Sequence, residues 1–240
     1  MIELAVWLAV IGVCDLVRAA RDITSVRRRA LIATGGGLLL LAGALAVEVT
    51  AARTFLLLLG WGSCFLLWLL GSAAALGGGG SGARTLAFVG MGGGLAFGLL
   101  GSDVVGPLTR HLPGPLGRFG VEEATLLLGV LLAQLATGNV VVRLLLDAVG
   151  VPATPHEKQL KGGRVLGPME RLVIVGLGAS GHFTAASVVV AAKGLLRFPE
   201  LQREVRGASD VTEYFLIGSF ASWMLALAGV AALGLSQAIG

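Results

Sequence analysis

The chain alternates long apolar runs with short polar punctuation. The runs are Leu31–Val47, Phe55–Leu76, Leu86–Leu100, Ala124–Val142, Leu172–Ala192 and Phe215–Ile239, and the shorter opening stretch Met1–Leu16 makes a seventh. A helix crosses the roughly 30 Å hydrocarbon layer with about 20 apolar residues, and these runs meet or approach that length. They are continuous, without the period-two alternation of a membrane β-barrel. The pattern predicts an all-α fold: a polytopic membrane helix bundle, one transmembrane domain over 1–240, with about seven transmembrane segments.

Composition agrees. Charged residues make up 13% of the 240 and hydrophobic ones 55%, with a mean hydropathy of +0.88. Soluble domains carry roughly 25% charged residues, so lipid must cover part of this surface. The first run has only Glu3 as an early charge, and Arg18, Arg21, Arg27, Arg28 and Arg29 come after it. That order predicts a retained span with the N-terminus outside rather than a cleaved signal. Cys14 and Cys64 form neither a disulfide framework nor a metal pattern, and no metal or cofactor is expected. The net charge of +4 gathers in loops and leaves no basic face for nucleic acid.

With the Arg18–Arg29 loop in the cytoplasm, alternation places Glu48–Arg53 outside, Gly77–Arg84 inside, Ser102–Glu123 outside and Asp147–Glu170 inside. Lys193, Arg197, Arg203 and Arg206 would then face outward if Leu172–Ala192 is an ordinary span. The ordinary span is preferred. The alternative is a re-entrant pair of half-helices hinged around Gly176, Gly178 and Gly181, which is tolerated only where protein or a cavity surrounds it. Gly90, Gly94 and Gly98 recur every fourth residue, a spacing that lets helix backbones approach closely.

Residues 173–181 read Val-Ile-Val-Gly-Leu-Gly-Ala-Ser-Gly, a G-x-G-x-x-G after a strand-like run, with Glu200 about 20 residues beyond. A dinucleotide site needs a second strand to pair with the first. No candidate strand exists, so these glycines are assigned to packing or a hinge. Asp15, beside Arg18, is read as an interfacial residue within reach of water. Asn139, Arg143 and Asp147 form an i, i+4, i+8 stripe on an otherwise Leu and Val helix, and this face is expected to point into the bundle. Gln134 and Thr137 lie deeper on another part of the circumference.

Residues 161–171 read Lys-Gly-Gly-Arg-Val-Leu-Gly-Pro-Met-Glu-Arg. Lys161 and Arg164 offer donors for a phosphate or carboxylate. Pro168 and Glu170 suit a helix start, the first for its missing N–H and the second for the dipole. His182, between Ser180 and Thr184, is either a proton shuttle or a hydrogen-bonded packing histidine.

The set Asn139-x-x-x-Arg143, Lys161-Gly-Gly-Arg164-x-x-Gly167-x-x-Glu170-Arg171, Ala192-Lys193-x-x-x-Arg197-Phe198 and Glu213-Tyr214-Phe215-Leu216-Ile217-Gly218-Ser219 resembles a bacterial multi-pass membrane family of unknown function. The likeness covers residues 120–225, and the His-Leu-x-x-Asp opening of many members is absent. Some relatives are associated with actinobacterial indole-terpenoid pathways, where a membrane-embedded cyclase closes rings on an epoxidised prenyl chain. The Gly-, Ala-, Leu- and Arg-rich composition is compatible with such a source.

The resemblance implies an enzyme on a hydrophobic isoprenoid or lipid-like small molecule, surrounded by membrane lipid: an acid-initiated, epoxide-opening, non-oxidative terpene cyclase of isomerase or lyase type. Such chemistry needs a dry carboxylic acid, walls that tolerate a carbocation, and a base. Glu170 and Glu213 are the expected catalytic pair. Asn139, Arg143, Lys161, Arg164, Arg171, His182, Lys193, Arg197 and Tyr214 are the expected substrate-binding residues, and Tyr214, Trp223, Phe183 and Trp68 the expected cavity walls. The alternative class is a small-solute or ion transporter or channel, which uses polar stripes and broken helices in the same way. A non-catalytic scaffold is the third, and the sequence leaves the oligomeric state open.

Overall fold

The computed structural model describes residues 1–19, 26–46, 51–100, 120–150, 163–204 and 209–239; the side chains of 51–53, 163–164, 193, 196–204, 209–215 and 237–239 fall outside that description. Every element among the described residues is helical. They are α1 (Ile2–Ala19), α2 (Val26–Ala46), α3 (Ala51–Leu76), α4 (Gly80–Leu100) and α5 (Val121–Leu132), then a π-helical turn (Ala133–Thr137), α6 (Gly138–Ala148), α7 (Gly163–Ala179), α8 (Phe183–Glu204) and α9 (Ser209–Ile239). Five stretches are long and apolar enough to cross a membrane: Val26–Ala46, Thr54–Leu76, Gly80–Leu100, Val121–Ala148 and Leu216–Ser236. These mark a membrane protein.

The chain divides into two compact units, Met1–Thr137 with Ser236–Gly240, and Gly138–Leu235. In the first unit, glycine sets how closely the helices approach. A Cβ at Gly71 would lie 2.6 Å from the Ala87 backbone nitrogen, one at Gly90 2.4 Å from that of Trp68, and Gly60 faces the Phe97 ring. Partners 71 with 87 and 60 with 97 make α3 and α4 antiparallel, as their tight Gly77–Gly79 connection requires; Gly78 turns it with φ +91°. The every-fourth-residue glycine face of α4 is therefore a packing seam. Gly94 receives the Trp7 ring and Gly98 the Leu4 backbone of α1. Although α1 carries Glu3, Asp15 and Arg18, it is the most enclosed helix of this unit. Gly43 and Gly36 of α2 meet Val6 and Cys14, so α2 runs antiparallel to α1. Gly12 meets Leu132 and Gly129 meets Ala5 and Ala9, so α5 runs parallel to α1. These directions agree with simple alternation of successive helices.

In the second unit the expectation of one ordinary span over Leu172–Ala192 is corrected. Helix α7 stops at Ala179 and α8 begins at Phe183. The His182 N–H donates to the Leu177 carbonyl (2.8 Å) and the Gly181 N–H to that of Gly178 (3.0 Å), with Gly181 at φ +79°. This is a Schellman stop, in which a left-handed glycine closes the orphan carbonyls. The hinge is thus Gly181 alone: Gly176 has open space around it and Gly178 packs on Val230. Arg171 bonds Ser222 and Gly178 meets Val230, offsets of 51 and 52 residues, so α7 and α9 run parallel. The chain between them must return, and α8 is the returning limb. Carrying the offset forward puts the Gly181 tip about level with Leu233, still within the apolar run Leu216–Ser236. The G-x-G-x-x-G residues are helical, with no strand among the described residues.

Candidate functional site

Two buried polar clusters stand out, one in each unit. In the second unit, Arg171 on α7 is 1% exposed. Its Nη2 donates to Asn139 Oδ1 of α6 (2.7 Å) and its Nη1 to Ser222 Oγ of α9 (2.9 Å). Glycine makes the room. A Cβ at Gly138 would stand 2.8 Å from Arg171 Nε, and one at Gly167 3.6 Å from Nη1. One guanidinium thus ties three helices through its planar fork of donors. Asn139 turns inward to Arg171, but Arg143 and Asp147 of the same stripe are exposed, so the stripe as a whole does not face the bundle interior as expected.

Along α9 the same cluster adjoins an apolar cleft of about 840 Å3. Its walls include Leu145 and Val149 of α6, Gly194 of α8, and Leu216, Phe220 and Trp223 of α9. Ser219 lines the cleft and Ser222, one turn on, receives Arg171. No ionisable side chain lines it among the described residues.

The other expected residues are more scattered. Glu170 is half-buried in the second turn of α7, because that helix starts at Gly163; Pro168 lies inside the helix, so neither residue caps its start as the sequence suggested. Arg143 is exposed. His182 is exposed at the hairpin tip, with Nδ1 3.1 Å from Ser180 Oγ. It lies eleven residues beyond Arg171, about 16 Å at 1.5 Å per residue, and does not join that cluster. Phe183 is exposed beside it, and Trp68 belongs to the core of the first unit. Lys161 lies outside the described residues; Arg164, Lys193, Arg197, Glu213 and Tyr214 lie on helices, but their side chains are outside the description. Ser222 was missed, although two serines three residues apart in an apolar span are a legible polar signal.

The first unit corrects the reading of Asp15 as an interfacial residue. It is 1% exposed and Arg18 8%. Arg18 Nε donates to Asp15 Oδ1 at 2.8 Å, and the Trp68 indole N–H to both carboxylate oxygens at 3.1 and 3.3 Å. Arg18 Nη1 donates to Ser72 Oγ (2.8 Å), and its guanidinium carbon stands 5.7 Å from the Trp68 ring centre. Thr137 and Gln134 of the π-helical turn are also buried, Thr137 beside the Asp15 carboxylate. Asp15 and Arg18 lie in the last two turns of α1, against Trp68, the fifteenth residue of the 23 in Thr54–Leu76, with Thr137 the seventeenth of the 28 in Val121–Ala148. The sequence reading failed because α1 continues to Ala19 and bulky α3 side chains close over its end.

Among the described residues no three His, Cys, Asp or Glu side chains converge as a metal site would require. Both cysteines are free thiols. Compared with family models, curated proteins and solved structures, the chain matches none, so its residues alone carry the functional argument.

Proposed function

We propose that the chain is a membrane-embedded enzyme that takes a hydrophobic isoprenoid or lipid-like molecule into the cleft of the second unit and rearranges it without oxidation. Its concrete form is acid-initiated ring closure on an epoxidised prenyl chain. The observation that carries this reading is the cleft: about 840 Å3, within the usual size of ligand sites, with walls that among the described residues are apolar except for the Ser219 hydroxyl and the Trp223 indole. A substrate with polar or charged groups along its length would lose hydration there without compensation. Trp223 offers an aromatic face to a developing cation.

Glu213 is the first candidate acid, because it stands one helical turn before Leu216 on α9. Glu170 is the second, next to Arg171 on α7. Arg171, with Asn139 and Ser222, holds the three helices around the cleft and acts as a positioning residue. The topology proposed is a bacterial cytoplasmic membrane, the N-terminus outside, and crossings by α1, α2, α3, α4, Val121–Ala148 and α9. The α7–α8 hairpin enters and leaves on the cytoplasmic side, which removes the misplaced positive charge of the 193–206 segment.

The test is mass spectrometry of lipophilic compounds from a host that expresses the chain and is fed epoxidised prenyl-aromatic compounds. A product of unchanged mass and new retention time is expected, lost in Glu213→Gln. Full turnover by both Glu213→Gln and Glu170→Gln would remove the acid assignment. A small-solute carrier is the second reading, favoured by the interrupted α7–α8 segment, since broken helices bind cargo in transporters. Solute flux into proteoliposomes, with no new product, would select it.

A further inference from the structure

Of the five helices long and apolar enough to cross a bilayer, α2 is the barest, with 17% of its apolar stretch buried. Beside α1 it forms a groove of about 510 Å3, lined by Val13 and Val17 of α1 and by Leu31, Ile32, Gly35 and Leu39 of α2. These residues are all apolar, and Val17 and Leu31 at the open end are 61% and 71% exposed. The groove is confined to one end of the span. Arg28 and Leu39 are eleven residues apart, about 16 Å at 1.5 Å per residue. That is about one leaflet of a hydrocarbon layer roughly 30 Å thick. One turn past Leu39, a Cβ at Gly43 would stand 2.4 Å from Val6, so α1 closes the groove there. The open end carries positive charge. Arg27, Arg28 and Arg29 occupy the first turn of α2, which holds no acidic residue, and residues 20–30 have four arginines against the single Asp22. Arg28 is exposed and shares the face of the groove: at about 100° per residue, Leu31, Ile32, Gly35 and Leu39 all lie within about 60° of it.

We propose that the α1–α2 groove binds one anionic phospholipid, with an acyl chain along Leu31, Ile32, Gly35 and Leu39 and the headgroup phosphate at Arg28. Long side chains on a helix lean toward its N-terminus, and basic ones near a span end reach for the interface. Arg28 is thereby placed to hold its guanidinium at headgroup level, above the groove. Basic pockets between membrane helices take anionic headgroups by this joining of charge and apolar wall. The depth of the groove favours a lipid over a partner helix, which needs an apolar face along the whole span, whereas α1 ends this one at Gly43. Charge argues against a second copy. A two-fold axis along the membrane normal would set two Arg27–Arg29 runs at the same level. A neutral phospholipid has the same chains but no net charge for Arg28 to offset, so the arginine decides the headgroup. The inference needs only residence in a membrane and is independent of the enzyme reading.

The test is native mass spectrometry of the full chain extracted from bilayers of equal parts phosphatidylglycerol and phosphatidylcholine. One phosphatidylglycerol retained per chain is expected, and also in Arg28→Lys, which keeps the charge. Retention should fall about fivefold in Arg28→Gln, the usual worth of one basic residue at an anionic surface. It should fall less than about twofold in Arg27→Gln, which removes the same charge about 100° away around the helix. Gly35→Leu fills the groove and should abolish retention; nothing lies within 4 Å of a Cβ there, so the helix accepts the side chain. Equal retention of the two lipids, an equal fall in Arg27→Gln and Arg28→Gln, or unchanged retention in Gly35→Leu overturns the site. So does a dimer that Gly35→Leu dissociates, which would make the occupant a second copy. None of these results bears on the cleft of the second unit, so failure here and failure of the enzyme reading are separable.

Discussion

Gly92 and Gly94 lie on nearly opposite faces of α4 and should answer a methyl group differently. A Cβ at Gly94 would fall 1.9 Å from the Trp7 ring, whereas one at Gly92 meets nothing within 4 Å. Gly94→Ala should destabilise by about 1–3 kcal/mol, the usual cost of overpacking. Gly92→Ala should be neutral or slightly stabilising, and unfolding titrations in mixed micelles distinguish the two. The Asp15–Arg18 pair offers a sharper test. Removing one member of a buried pair strands the other and costs about 3–5 kcal/mol, while replacing both with apolar residues is often close to neutral. Asp15→Asn and Arg18→Met should each lower the unfolding midpoint, and the double variant Asp15→Leu/Arg18→Met should recover most of the loss. A double variant as unstable as the sum of the singles would mean that the two side chains act independently of each other.

At the scale of elements, the α7–α8 hairpin depends on one left-handed residue. Gly181→Ala forces a Cβ into φ +79° and should cost about 1–2 kcal/mol. Gly176→Ala, five residues earlier and in open space, should be tolerated. Amide exchange at 180–183 reads the difference: faster in Gly181→Ala, unchanged in Gly176→Ala. The three glycines of the G-x-G-x-x-G run thus have three different fates, one open, one packed on Val230, one a turn. Their spacing could not separate them, because each fate is set by a neighbour distant in sequence or by the backbone angle. The glycine face of α4 was legible, since a repeat every fourth residue is a property of a single helix. The start of α7 was not: Pro168 and Glu170 look like a first turn, but the two residues Gly163 and Arg164 wind the helix from further back.

At the scale of the whole molecule, the parallel course of α7 and α9 makes a topological prediction. With Cys14 and Cys64 replaced, single cysteines at Gln159 and Gly207 should react with an impermeant maleimide from the same side of the membrane. Labelling from opposite sides would restore the ordinary span and return the 193–206 charges to the wrong face. The proposed substrate cleft and the Arg171 cluster both belong to the second unit.

What the chain determined by itself is its class. Runs of apolar residues as long as a bilayer is thick admit only helices, since every backbone group must be bonded within its own segment. Those runs also determined where the helices long and apolar enough to cross a membrane lie, to within about six residues at each boundary. The tertiary structure alone decided which polar groups are buried. Asp15 and Arg143 look equally close to a helix end, yet α1 is enclosed by three helices and by Trp68, while Arg143 meets open surroundings. Hydropathy is a property of each residue in turn. Burial of a charge, and with it the position of a site, depends on which helices stand around it.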